Sequence, residues 1–425
     1  MKCLIVAGLA FGDEGKGTMV DYLCRWHDAK WVVRYNGGPQ AAHNVVLPDG
    51  RHHTFAQFGS GTFIPGCQTY LSEYMLIEPY AMINENNHLY YVGIHDGLKR
   101  ILINPKCTII TPWHFMANRL KEASRGANRH GSCGMGIGET RGDRISGLWF
   151  DGSDIASIYG RDKLFHIKDY KLEQCRDFVN NEETISIYRS MEMTSPASVW
   201  EYYKEWFKSV RWGGWHDITI ENPNAVVFEG AQGMLLDEIH GFGKHITWSD
   251  CTFNGALSII NQYGARSGVE ITKIGVVRSY FTRHGAGPFI TEVSNGAIKG
   301  ITPWKNDHNT NNEWQGSLRI GYFDAMAFKY ALNAIGNVDA LAITHIDALK
   351  FLNKWVYCDG YLDEKGNFTK KLTQDMMSGD KKYSYSLIST NSIINKVEKL
   401  SGVPVRYLST GNTWVGKSML AENNG

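Results

Sequence analysis

The chain is 425 residues long and carries 44 Lys+Arg against 43 Asp+Glu, a formal net charge of +1 at neutral pH. Proteins held on DNA or RNA need a cationic surplus, because phosphate neutralisation supplies most of their non-specific affinity, so this balance argues against a nucleic-acid polymer and for small ligands. A hydrophobic fraction of 43% with 12% aromatic residues excludes a disordered chain and suffices for one large core or two medium ones.

In chain order, apolar runs at residues 2–9, 29–35, 224–228, 271–277 and 338–344 end in glycine or polar turns. Such runs suit strands buried on both faces, as in a parallel sheet covered by helices. The first imitates a secretory leader, with one basic residue before a short apolar stretch. Gly12-Asp13-Glu14-Gly15-Lys16-Gly17 then puts charges and glycines where a cleavage region belongs, and a buried first strand is the better reading. Apolar residues at helical spacing predict helices at 16–26 and 323–335, and a third at 196–210 with Ser195 as N-cap and Pro196 at the first helical position. Strands alternating with helices predict an α/β fold, a large mostly parallel sheet flanked by helices. It is read as a single domain over 1–425 with a helical insertion at about 150–220. The polar stretch 305–315 (KNDHNTNNEWQ) is a long loop of the kind that binds ligands. No apolar stretch reaches the ~18 residues of a membrane span, so no membrane partner is expected. Eight cysteines without a CxxC pair point to reduced thiols in the cytoplasm and speak against zinc.

The segment Gly8-Leu9-Ala10-Phe11-Gly12-Asp13-Glu14-Gly15-Lys16-Gly17-Thr18 joins the first strand to the first helix. Its glycines let backbone N–H groups close on phosphate oxygens, the helix N-terminus adds partial positive charge, and Lys16 is long enough to reach a terminal phosphate. It departs from a Walker A loop, with Ala10 at the first glycine position and Gly17 where Ser or Thr would hold magnesium. Taken alone, it is equally a strand-to-helix turn whose glycines serve packing.

Gly12-Asp13-Glu14-Gly15-Lys16-Gly17 resembles the N-terminal signature of the adenylosuccinate synthetase family, and further segments follow in that family's order. They are Arg34-Tyr35-Asn36-Gly37-Gly38-Pro39-Gln40-Ala41-Ala42-His43, Gly131-Ser132-Cys133-Gly134-Met135-Gly136-Ile137-Gly138, Phe228-Glu229-Gly230-Ala231-Gln232-Gly233 with Leu236-Asp237, and Thr282-Arg283-His284-Gly285-Ala286-Gly287-Pro288-Phe289. RIGYFD at 319–324, Thr344-His345-Ile346-Asp347 and Ser409-Thr410-Gly411 complete the series.

The resemblance implies a P-loop-like, GTP-dependent ligase fold, a homodimer, and a reaction joining L-aspartate to C6 of inosine monophosphate with GTP and magnesium. Asp13 takes the role of general base on the purine N1 proton, and His43 donates to the phosphoryl group in flight. Asp13 and the Ala42 carbonyl are implied magnesium ligands. Gly12, Glu14, Gly15, Lys16, Gly17, Thr18, His345, Asp347, Ser409 and Gly411 are implied GTP contacts, Asp347 accepting from guanine. Gln40, Ser132, Cys133, Gln232 and Thr247 fall to the acceptor nucleotide, and Trp314, Gln315 and Arg319 to the aspartate loop. Singly, Asp13 is equally a helix cap and His43 one of 15 histidines satisfied by a carbonyl; the ordered context reverses that.

The departures cluster at the acceptor and aspartate sites. The family's His-Asn-Ala-Gly-His reads Pro39-Gln40-Ala41-Ala42-His43, its Thr-Thr-Gly-Arg-Gly-Ile-Gly-Pro reads Ser132-Cys133-Gly134-Met135-Gly136-Ile137-Gly138-Glu139, and only Arg319 survives of its arginine run. His345 replaces the usual lysine. The arginine that the family lends across its dimer interface has no clear counterpart, with Arg141 and Arg144 nearby. Intact phosphoryl-transfer residues with altered specificity residues imply the same reaction on another acceptor, as in the phage 2-aminoadenylosuccinate synthetases that use dGMP. That offshoot commonly replaces the base matching Asp13 with a small hydroxyl residue, whereas Asp13 is kept here, as in the IMP-using type. A non-catalytic guanine-nucleotide regulator is the contrasting reading, and the joint presence of Asp13 and His43 argues against it.

Overall fold

The computed structural model describes residues 1–262, 268–293, 316–349, 354–362, 367–370, 372 and 382–421. Its main sheet has ten strands: β1 (Lys2–Gly8), β2 (Trp31–Arg34), β3 (Gln68–Leu71), β4 (Ile101–Ile103), β5 (Arg211–Trp212), β6 (Ala225–Glu229), β7 (Glu270–Arg278), β8 (Ala340–Thr344), β9 (Val405–Ser409) and β10 (Lys417–Met419). Across the sheet they run β10-β9-β8-β7-β1-β6-β2-β3-β4-β5, and each neighbouring pair is parallel except β9 with β10. The predicted α/β architecture, a large mostly parallel sheet flanked by helices, is the one observed.

The alternation along β1 explains why this strand is central. Cys3, Ile5 and Ala7 enter one apolar cluster while Leu4 and Val6 enter a second on the opposite face, all nearly inaccessible to solvent. A strand buried on both faces must be apolar at consecutive positions, and each fully buried Leu or Ile contributes roughly 2 kcal/mol. The first helix, α1 (Lys16–Trp26), packs Met19, Val20 and Leu23 onto the second cluster.

A third cluster, around Trp113, Leu164, Ile167, Met191, Tyr203 and Trp206, belongs to a helical layer. It comprises α2 (Pro112–Ser124), α3 (Ile137–Ile145), α4 (Gly160–Cys175), α5 (Glu182–Met193) and α6 (Pro196–Ser209). The helix α6 begins as expected: Ser195 Oγ accepts from the Ser198 amide at 3.3 Å, and Pro196 occupies the first turn. By contrast α7 (Ala325–Ile335) starts two residues after the predicted position. Phe323 and Asp324 pair instead with the strand Lys354–Leu362, and the Asp324 carboxylate caps the helix by accepting from Met326 and Ala327 at 3.0 and 2.9 Å.

The topology also creates a crevice. The neighbours of β1 are β6 and β7, both far later in sequence, so the connections leaving its carboxyl end diverge. Ligands of open parallel sheets bind outside the carboxyl ends of the strands at such a point.

Candidate functional site

The loop leaving β1 folds around one buried carboxylate. Glu14 Oε1 accepts from the amides of Ala10 (3.0 Å) and Gly12 (2.9 Å), and Oε2 lies 2.5 Å from Lys16 Nζ, with both side chains essentially inaccessible. Lys16 therefore commits one ammonium proton to Glu14, a strut that the phosphate-contact expectation did not include. Gly233 lets the 228–233 segment lie against this loop, since a Cβ there would sit 2.3 Å from Ala10 O and 2.5 Å from Gly12 N. At Gly17 a Cβ would meet His43 Cβ at 2.6 Å, so α1 can approach His43 only with glycine at this place.

His43 is oriented by residues from elsewhere in the chain. Its Nδ1 lies 2.5 Å from Glu229 Oε1, at the end of β6. Glu229 also accepts from the Ser60 amide at 2.9 Å and from the Ser60 hydroxyl. Burial alone would push the Glu229 carboxyl up, but the Arg34 guanidinium and the His43 and Ser60 hydrogen bonds outweigh it and hold it at about 2. An ionised Glu229 requires the His43 proton on Nδ1, leaving Nε2 for the cleft. Burial, with Arg34 and Lys16 adding to it, lowers the imidazole pKa against the pull of Glu229. His43 is thus neutral before an anion arrives.

A cleft of about 420 Å³ brings Asp13, Gly15, Lys16, Gly17, Thr18, Ala42 and His43 together with His345, Asp347, Ser409 and Gly411. Gly12 and Glu14 stand behind this wall and shape it. Arg278, Asn44 and Asn412 also line the cleft and were not anticipated from sequence. Asp13 is part-exposed, with His284 Nε2 at 3.2 Å from its Oδ2, while His284 Nδ1 is buried without a partner. Burial, reinforced by Arg278 and Lys417, pushes His345 well below the usual histidine range, so this ring is neutral. Among the described residues, three of the five non-glycine residues with left-handed backbone, Asp13 (φ 57°), Gln232 (φ 54°) and His345 (φ 56°), border this region. Each such conformation costs about 1–2 kcal/mol, strain that clusters at functional sites.

Beside the cleft, the amide groups of Gln40 and Gln232 are buried and have no hydrogen-bond partner on either oxygen or nitrogen. They flank the Gly37-Gly38 turn: a Cβ on Gly38 would lie 3.0 Å from Gln40 Oε1, and one on Gly37 3.3 Å from Gln232 Oε1. Unsatisfied buried amides are costly, and a ligand that completes their hydrogen bonds removes the cost. Ser132 Oγ accepts from Asn118 Nδ2 at 3.0 Å, Cys133 is a half-buried thiol pushed up by burial, and the Thr247 amide donates to Leu236 O at 2.7 Å.

Trp314 and Gln315 lie outside the described residues. Arg319 is spent within the chain: Nε donates to Glu292 at 2.9 Å, and Nη1 to the carbonyls of Gly285 and Gly287 at 3.0 and 2.8 Å. Arg283 is likewise committed to the carbonyls of Ala286, Pro288 and His245. Both guanidiniums shape the 285–289 turn. Arg144 donates to Thr108 and Lys106 O, and Arg141 pairs with Glu238 at 3.2 Å. Among the described residues no cluster of three His, Cys, Asp or Glu side chains could hold a metal ion, and no helix is long and apolar enough to cross a membrane.

A sequence model of the adenylosuccinate synthetase family matches residues 5–414. The adenylosuccinate synthetase of Vibrio vulnificus is 30% identical over 440 residues, covering 96% of either chain. That of Mycobacterium tuberculosis is 27% identical over 442 residues, 97% of this chain and 96% of its own. Among solved structures, fully ligated adenylosuccinate synthetase from Plasmodium falciparum overlays with a TM-score of 0.80 at 20% identity, covering 98% of this chain and 99% of its own. The cyanophage S-2L succinoaminodeoxyadenylate synthetase, bound to dGMP and to dATP as an energy donor, gives a TM-score of 0.60 at 16% identity, covering 98% and 95%. At these identities the structural likenesses speak for the fold.

Proposed function

The chain belongs to the adenylosuccinate synthetase family of carbon–nitrogen ligases, and from that premise we propose that it uses GTP to phosphorylate O6 of a 6-oxopurine mononucleotide and then exchanges the phosphate for L-aspartate. The observation that carries this reading is the cleft itself: a glycine-rich loop, a part-exposed carboxylate at Asp13 and a carboxylate-oriented imidazole at His43 face one space.

A 6-oxo group leaves poorly, so the oxygen must be activated first. Asp13 takes the N1 proton, and O6 becomes the nucleophile that attacks the γ-phosphorus as GDP departs. His43 is neutral until phosphate charge enters the cleft. That charge favours the imidazolium, and Nε2–H then donates to the phosphoryl oxygens while Glu229 fixes the ring. The aspartate amine next bonds to C6 as the C6–O6 bond breaks, and the proton the nitrogen gives up leaves with the phosphate. Asp13 and the Ala42 carbonyl, which share the cleft wall, suit magnesium: such sites use one or two protein oxygens and take the rest from phosphates and water. When bound, the ion would neutralise part of the phosphate charge.

For the acceptor we favour a 2-amino-6-oxopurine nucleotide of the dGMP or GMP type. The open amides of Gln40 and Gln232 offer both acceptors and donors to a base edge, and the lengthened Gln40 side chain can accept from a 2-amino group. IMP is the second reading, favoured by the retained carboxylate of Asp13. Incubation with GTP, magnesium and aspartate against IMP, dIMP, GMP and dGMP, following phosphate release and product mass, tests both. Expected is acceptor-dependent release with aspartate incorporated, largest with dGMP or GMP. GTP hydrolysis indifferent to every acceptor overturns the ligase reading, and turnover confined to IMP and dIMP overturns the acceptor assignment.

A further inference from the structure

Lys417 opens β10 and is 7% exposed, a buried ammonium beyond the far wall of the cleft. It donates to the carbonyls of Gly411 and Thr413, each at 2.9 Å. These belong to the turn that brings Ser409, Gly411 and Asn412 to the cleft. The turn is closed on itself: the Thr410 amide donates to Gly416 O at 2.8 Å, and the Gly416 amide to Thr413 O at 3.2 Å. Burial lowers the Lys417 ammonium to about 8, even though Asp347 on the cleft wall and Asp21 on α1 attract the charge. Arg25, one turn along α1 from Asp21, pairs with that carboxylate at 3.0 Å and lies over the Trp414 ring.

As a device for stability alone this arrangement is poor. Burying an ammonium against neutral carbonyls incurs a desolvation cost that an apolar side chain at a strand edge avoids. The cation supplies what an apolar residue cannot: fixed directions for two carbonyls of the turn. We propose that Lys417 is a positioning residue for the donor nucleotide, holding the 411–413 turn in the arrangement that presents Ser409, Gly411 and Asn412 to the nucleotide. The inference rests on the donor-site reading given above.

The test measures binding of a fluorescent guanine nucleotide, together with KM for GTP, KM for the acceptor and kcat, in the unaltered enzyme and in Lys417→Met and Lys417→Arg. Two lost charge-assisted hydrogen bonds predict roughly tenfold or more weakening of nucleotide binding and a matching rise in KM for GTP in Lys417→Met, with acceptor KM and kcat within about twofold. Lys417→Arg, which keeps charge and donors, recovers most of the loss. Unchanged nucleotide binding in a folded Lys417→Met overturns the assignment, as does an equal loss toward both nucleotides. Should Lys417→Met fail to fold, Lys417→Gln, which keeps donors without charge, is read by the same criteria. An unaltered enzyme that binds no guanine nucleotide overturns the donor-site reading, and this assignment with it; normal binding in the unaltered enzyme confines any failure to Lys417.

Discussion

Glu229 is inaccessible to solvent and yet ionised, because Arg34, His43 and Ser60 converge on it. Its neutral isostere keeps the shape and removes the charge that fixes the His43 tautomer and stabilises the imidazolium. Glu229→Gln is therefore expected to lower kcat on the order of 10²-fold, with KM for GTP changed far less; steady-state kinetics with the acceptor saturating checks this, and an unchanged kcat excludes the orienting role. Asp13 and His43 stood out in the sequence only because their segments fall in an ordered series resembling one family; singly, each had an ordinary structural reading. Glu229 was legible only as part of a string. Its partners are 186 and 169 residues away in His43 and Ser60, and no local spacing encodes such a meeting. The same holds for His284 beside Asp13.

At the scale of elements, what could be read followed from burial on both faces or from caps. Predicted runs 2–9, 224–228 and 271–277 became Lys2–Gly8, Ala225–Glu229 and Glu270–Arg278, and helix 16–26 kept its bounds. Two-residue strands such as Arg211–Trp212 were invisible, since pairing defines them rather than composition. Also unseen was the ionic knot joining three helices. Lys171 of α4, 1% exposed, donates to Asp143 at 2.7 Å and to Glu139 at 2.9 Å on α3, and Asp143 lies 3.0 Å from His114 of α2. This knot anchors the helix that follows the 131–136 loop. Lys171→Met leaves Asp143 without its ammonium partner, and a loss of about 3–5 kcal/mol in unfolding free energy is expected from urea titration. A loss below about 1 kcal/mol means that the charges solvate themselves without Lys171.

For the molecule as a whole, the balance of 44 cationic against 43 anionic residues is compatible with the phosphate-rich ligands proposed above, because positive potential can be supplied locally. Asp13, Gly15, Lys16 and Gly17 of the glycine-rich loop and the Arg278 guanidinium line the cleft, while the chain as a whole carries a net charge of only +1. The class of fold was legible from alternating strands and helices. The strand order was not, for it places β1 between partners more than two hundred residues downstream. That order has a consequence in time. One wall of the cleft comes from residues 13–18 and the other from residues 409–412, and they meet only after β9 has joined β8. A growing or refolding chain can bury the helical layer early, through contacts close in sequence, but cannot hold nucleotide until its last strands dock. In refolding from denaturant, tryptophan fluorescence should recover ahead of nucleotide binding; simultaneous recovery would indicate that the sheet closes in one step with the helical layer.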